Sequence, residues 1–140
     1  MTVFKVAIDM VMTEGQERFI QEHRLAVLTT LRRTGSPQST PVYYIYENGR
    51  LLVSSTRDRF KTINIQRDPR VSLCIVDETP PFRYVQVQGK AAVTEEDLVE
   101  TSRRIYKTFR DSLSDDFPEQ LVQQGRIIIE VTPEEVTPGR

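Results

Sequence analysis

Apolar and polar positions alternate through much of this chain, in short runs bounded by turn-forming residues, which is the pattern of half-buried strands. Residues 24–33 read RLAVLTTLRR, residues 38–47 read QSTPVYYIYE and residues 50–56 read RLLVSST. TGSP joins the first two. Asn48-Gly49 joins the second and third, and this dipeptide favours a tight hairpin because both residues tolerate positive φ. The three runs predict a meander. Val42, Tyr43, Tyr44, Ile45 and Tyr46 are β-branched or aromatic, and Pro41 predicts a strand start or an edge at that point. Residues 71–77 and 83–94 add two strands on either side of the turn ETPP, and in the longer one Val85, Val87, Gly89, Ala91 and Val93 share a face. Residues 126–133, RIIIEVTP, supply a sixth.

Helical spacing fills the gaps. Thr13 and Gln16 match a capping box for a helix that carries Phe19 and Ile20 and runs to about His23. A short helix follows residue 57, with Asp58 as its expected cap, Phe60, Ile63 and Asn64 at helical spacing, and Pro69 as its stop. Thr94 and Asp97 are expected to open an amphipathic helix bearing Leu98, Ile105, Tyr106 and Phe109, and a brief last helix ends at Gly125. Six strands joined mostly by tight turns and interrupted by two or three peripheral helices predict a mainly β fold, a small closed antiparallel barrel. An open antiparallel sheet with helices on one face has the same element order.

Composition narrows the function. The chain has 140 residues, 19 basic and 20 acidic side chains and a formal charge of -1. That length suits one domain spanning residues 1–140, and that charge lacks the basic excess on which non-specific nucleic-acid or anionic-membrane binding depends. No apolar run approaches the ~20 residues that span a bilayer. The amino-terminal stretch lacks the pattern of a secretion signal, and the single cysteine, Cys74, lies in the apolar run VSLCIV, where packing is its expected role; a cytoplasmic location is expected. One cysteine and one histidine, His23, do not make a zinc site or suggest a catalytic pair. His23 is expected to be a solvated helix cap.

The strongest chemical signal is the segment SSTRDRFK, where Arg57, Arg59 and Lys61 fall between a strand end and a helix start. Backbone N–H groups at such a terminus favour an anion, and arginine and lysine add charged contacts to a phosphate. The same residues also suit a solvated helix face. A second group, Ser39 and Thr40 with Ser54, Ser55 and Thr56, places small hydroxyl side chains at strand ends, where they suit either turn chemistry or the edge of a planar ligand. Tyr44 and Tyr46 are expected in the core.

Taken in order, AVLTTL, GSPQSTPV, the Asn-Gly hairpin, LLVSST, RDRFK, the run from Asn64 through DPRVS, and YVQVQGKAAV resemble the pyridoxamine 5'-phosphate-oxidase-like split β-barrel family. The resemblance covers residues 24–94 with the terminal strand in its usual last place. It implies a homodimer with FMN or the deazaflavin coenzyme F420 at the subunit interface and a small-molecule substrate. By the same resemblance Arg59 and Lys61 would hold phosphate, and Asn64 belongs to the site motif. Gln38, Ser39, Thr40, Pro41 and Val42 would line the ring, Ser54 and Ser55 would lie beneath the ribityl chain, and Phe82 or Tyr84 would reach in from the partner. The oxidases proper carry Arg and Lys where this chain has Thr40 and Ile45, a Gln where it has Tyr84, and a basic tail that it lacks. The Pro41-Val42-Tyr43 pattern followed by Arg59-x-Lys61 is closer to the F420-dependent branch. The resemblance therefore implies a hydride-transferring oxidoreductase with F420 as first choice, and FMN, or a non-catalytic flavin-binding module, as the alternative.

Overall fold

A computed structural model describes residues 11–138; the expectation about a leader concerns residues that lie mostly outside this range. Six strands close into an antiparallel barrel in the order β1-β2-β3-β6-β5-β4. They are β1 (Leu25–Leu31), β2 (Pro37–Glu47), β3 (Arg50–Thr56), β4 (Arg70–Val76), β5 (Tyr84–Thr94) and β6 (Arg126–Pro138). Closure removes the free edges of the open-sheet alternative. The last strand runs five residues further than its apolar pattern suggests, because residues 135–138 pair with the start of β5 beyond a register shift at Glu134.

Alternation sorts the side chains. Leu28, Leu51, Val53, Leu73, Ile75, Val87, Ile129 and Val131 point inward and are almost completely buried. Asn48 and Gly49 take φ of 52° and 77°, as the hairpin requires. Gly89 sits where β5 and β6 slip register, and a Cβ there would lie 2.1 Å from the Thr132 carbonyl oxygen, so only glycine permits the approach.

Helix α1 (Glu14–Glu22) begins at the expected capping box, in which Thr13 and Gln16 exchange side-chain and backbone hydrogen bonds, and it buries Phe19 and Ile20 against the core. The Tyr44 hydroxyl donates to the Ile20 carbonyl at 2.7 Å and ties this helix to the barrel. His23 is the C-cap, but its ring is not simply solvated: it stacks on Phe19 at 4.1 Å and Nδ1 lies 2.7 Å from the Phe19 carbonyl. Helix α2 (Phe60–Arg67) lies against β1 and β5. Helices α3 (Leu98–Tyr106) and α4 (Phe117–Gln123) build a second apolar cluster on the outer wall, where Ile105, Tyr106, Phe117 and Leu121 pack with Ile128 of β6.

Several local expectations are corrected. Asp58 does not cap α2: the N-cap is Arg59, and the Asp58 carboxylate accepts the Thr56 hydroxyl at 2.6 Å. Asp97 occupies the N-cap of α3 in the left-handed region without a side-chain cap, while the Thr94 hydroxyl accepts from the Glu96 N–H. Pro41 is not a strand start, since β2 begins at Pro37, but it does stand at an open edge, as expected. It stands inside β2 opposite Val27, at a stretch where pairing with β3 has stopped, so its missing N–H leaves that side of the ladder intact. Cys74 alternates to the outer face opposite Val27 and is half-buried there. Helical spacing does not bury Phe60 and Ile63, which are 71% and 44% exposed. Among the described residues no helix is long and apolar enough to cross a membrane.

Candidate functional site

Strand pairing opens a cleft in the barrel wall. Hydrogen-bonded pairing of β2 with β3 ends at Tyr44 and Val53, while β3 continues against β6 through Ser54, Ser55 and Thr56. The stretch of β2 before Tyr44 therefore has β1 on one side and no β3 partner on the other. A cleft of about 290 Å³ occupies this region, lined by Pro41, Val42, Tyr43 and Ser54 from the strands and by Lys61 from α2. Ile105, Tyr106, Phe109 and Arg110, from α3 and the turn after it, form another wall, and Arg126 opens β6 beside them.

The charge in this cleft is one-sided. Burial holds the Lys61 ammonium below the ordinary lysine range, and the neighbouring Arg59 and Arg126 guanidiniums push it further down. Neither Arg59 nor Lys61 forms an ion pair among the described residues, and Arg126 donates only to the neutral side-chain carbonyl of Gln124, at 2.9 Å. Arg110 lies over the Tyr106 ring at 5.1 Å. Lys61, Arg110 and Arg126 line the cleft with no carboxylate among its lining residues, and an anion placed among them is stabilised; Arg59 stands beside the Asp58 carboxylate, outside the lining.

Two hydroxyls in this region lack partners. Ser54 Oγ and Thr40 Oγ1 are buried and make no hydrogen bond. A buried polar atom without a partner costs about 1–3 kcal/mol, which a ligand that bonds it would recover. Ser54 lies in the cleft itself; Thr40 faces inward opposite Leu28, one residue before the lining Pro41.

Other residues expected at the site are bonded internally. Ser55 points inward, and its hydroxyl meets that of Thr62 at 2.9 Å, which in turn donates to the Thr56 carbonyl at 2.7 Å. Asn64 is 5% exposed and donates through Nδ2 to Thr30 and Gln38, each at 3.0 Å, while Arg67 donates to its Oδ1 at 3.1 Å. These bonds hold α2 to the start of β2 and so set where Lys61 projects. Ser39 is exposed and shares a hydrogen bond with Thr29 at 2.8 Å. Arg57 is paired with Glu95, which removes it from the unpaired set. Phe82 is 61% exposed with φ of 60°, and Tyr84 begins β5; neither lines the cleft of its own chain.

Sequence reasoning missed Arg126, Arg110, Tyr106 and Phe109 as wall residues. Arg126 arrives because Gly125, with φ of 66°, turns the chain into β6 and pairs Arg126 with Thr56. The Arg57 N–H bonded to the Gly125 carbonyl at 2.9 Å pins that turn beside the basic segment. A lone arginine after a glycine at a strand start was the only local signal.

A larger cavity, about 680 Å³, lies near the end of α1, but Glu22, Glu78, His23 and Arg24 mix both signs of charge in its wall. Size therefore does not select the anion site; the one-sided charge of the smaller cleft does.

A closed six-stranded barrel with a cationic cleft let into its wall is the class of protein that this geometry defines. Residues 12–138 match the pyridoxamine 5'-phosphate oxidase family, and the chain belongs to it, a family of flavin-binding proteins that includes oxidoreductases. Among solved structures, a conserved hypothetical protein from Mycobacterium tuberculosis superposes with a TM-score of 0.77 at 24% identity, over 92% of this chain and 85% of its own. A protein described as an F420 reductase matches with the same TM-score and identity, over 90% and 98% of the two chains. The heme storage protein of Vibrio cholerae matches at 16% identity and a TM-score of 0.71, over 92% and 95%. At these identities the likeness is one of fold, and the fold hosts different chemistries.

Proposed function

We propose that this protein is a cytoplasmic oxidoreductase that binds coenzyme F420 in the wall cleft and moves a hydride to or from a small organic substrate. The observation that carries the reading is the pair Lys61 and Arg126, without ion-pair partners among the described residues, beside the unpartnered hydroxyl of Ser54, with Arg59 close to Lys61. Those residues fit a phosphate-bearing cofactor: the cations would hold the phosphate, and Ser54 would bond an adjacent polar atom. When bound, the deazaflavin supplies two-electron hydride chemistry, so the protein needs no nucleophile of its own. The chain's residues bind and orient. Pro41, Val42 and Tyr43 offer a flat wall, and Tyr106 with Phe109 excludes water from one side of the cleft.

Membership of the family and the F420 reductase among its structural neighbours support the choice. FMN is the second reading, because the same three cations suit any phosphate ester, and a module that binds a flavin without turnover is the third. The protein is further proposed to act as a homodimer. Leu25, Val27 and Val76 stand 49%, 41% and 51% exposed on the outer wall of β1 and β4, a face a second copy would cover, bringing its Phe82 and Tyr84 within reach of the cleft. No nucleic-acid or membrane partner is proposed.

Titration with F420 and with FMN, each followed by fluorescence, tests the reading, and turnover with a panel of hydride acceptors separates an enzyme from a binding module. Saturable F420 binding that the Lys61→Ala variant weakens at least tenfold supports the proposal. Binding of FMN alone moves the protein to the flavin reading, and binding of neither overturns both.

A further inference from the structure

Helix α2 has a second working face. Phe60, Ile63, Asn64 and Arg67 follow i, i+3, i+4, i+7 spacing and form one stripe, while Lys61 turns towards the wall cleft. Beside that stripe lies a cavity of about 430 Å³, completed by Gln38 and by Arg32 and Arg33 from the end of β1. It shares no lining residue with the wall cleft.

Its composition is specific. Phe60 and Ile63 supply an apolar floor that the fold leaves in water, while Thr62 and Ile65 occupy the buried face of the same helix and Asn64 borders both. Around that floor stand three guanidiniums, and no carboxylate lines the cavity. Arg32 and Arg33 are exposed and form no ion pair among the described residues. Arg67 is fixed at the base by its bonds to the Leu31 carbonyl and to Asn64 Oδ1. A guanidinium already held in place loses little freedom on gripping a ligand. Exposed apolar side chains ringed by one sign of charge mark a binding site rather than a solvated helix face. A volume of this size falls in the range of small-molecule sites.

We propose that this cavity is a binding site for a planar aromatic carboxylate: its ring would lie on Phe60 and Ile63, and its carboxylate would be gripped by Arg32, Arg33 and Arg67. Guanidiniums match carboxylates in a forked geometry and stack on flat faces, so both halves of the ligand have counterparts here. The site stands independently of the F420 reading, since neither its floor nor its cations belong to the wall cleft.

The test uses the whole protein and 2-naphthoate as the probe, with binding followed by calorimetry. One saturable site per chain is expected. The exposed double reversal Arg32→Glu with Arg33→Glu should weaken it at least tenfold, as should Ile63→Glu, with thermal midpoints recorded to show that each variant folds. Lys61→Ala should leave it within twofold, which separates this cavity from the cofactor cleft, and the uncharged 2-naphthamide should bind at least tenfold more weakly. Absence of saturation, equal affinity for the amide, an affinity unmoved by the double reversal, or loss in Lys61→Ala would each overturn the proposal.

Discussion

Two adjacent serines divide this molecule. Ser55 faces inward, where its hydroxyl is bonded to Thr62 and Thr62 to the Thr56 carbonyl, beside a second bonded group in which Asn64 joins Thr30, Gln38 and Arg67. Ser54 faces outward into a cleft where its hydroxyl has no partner, beside Lys61 and Arg126, which form no ion pair among the described residues. A satisfied buried network rigidifies and specifies, whereas an unsatisfied one is costly unless something binds it. The inner set is thus the part of the motif that builds the site, and the outer set is the part that meets a ligand. The two serines are adjacent in sequence, and only the strand's alternation tells them apart.

Substitutions in the two sets should separate stability from binding. Asn64→Ala strands the Thr30, Gln38 and Arg67 groups and is expected to cost about 3 kcal/mol in denaturant unfolding, the largest effect of the series. Thr62→Val leaves the Ser55 hydroxyl without its partner and takes one donor from the Thr56 carbonyl, which keeps the Arg59 N–H, and should cost about 1–2 kcal/mol in the same measurement. Ser54→Ala, by contrast, removes a hydroxyl that bonds nothing and should leave stability within about 0.5 kcal/mol while weakening cofactor binding. If Ser54→Ala were as destabilising as Thr62→Val, the division between the two serines would fail.

Two pH dependences sharpen the contrast. Burial raises the Tyr44 and Tyr46 phenols above their ordinary range, with a hydrogen bond and the charge of Glu17 adding to the shift at Tyr46. Their folded-state protons are therefore retained where the unfolded chain gives them up. Stability should be fully present below about pH 10 and decline above it, and replacing both tyrosines by phenylalanine should flatten that decline in alkaline unfolding curves. Lys61 shifts the other way. Its ammonium is held below the ordinary range by burial and by its cationic neighbours, so cofactor affinity should fall at lower pH than an unperturbed lysine would dictate. Lys61→Arg should remove that fall, because a guanidinium stays charged.

The smallest effect is expected at the surface. Arg57 and Glu95 are each 58% exposed, and Glu95→Ala should change stability by no more than about 0.5 kcal/mol. It should nevertheless free Arg57 beside the basic segment, and a gain in cofactor affinity at low salt would show that Arg57 can join the anion site.

Much of the fold was legible because it rests on local rules. Asn48-Gly49 announced its hairpin through positive φ, the capping box at Thr13 and Gln16 formed as spacing predicts, and the period of two in β5 gave its buried face. What escaped depended on competing local bonds or on distant partners. Asp58 bonded the Thr56 hydroxyl two residues back instead of capping α2. The candidate site was half legible: Lys61, Ser54, Pro41 and Val42 come together in the cleft, but Arg126 is more than 60 residues further along the chain and reaches it only through β3 pairing with β6. Phe60 sits at helical spacing yet is exposed, since the residues that α2 buries are Thr62, Asn64 and Ile65.

The central claim is that the unpaired cations of the wall cleft hold a cofactor phosphate. It is tested most directly by titrating the wild-type protein, Lys61→Ala and Arg126→Ala with F420 at moderate salt and following the cofactor's fluorescence. Saturable binding that weakens at least tenfold in each variant, with unfolding midpoints unchanged, is the predicted result. Affinity that stays the same in both variants would contradict it.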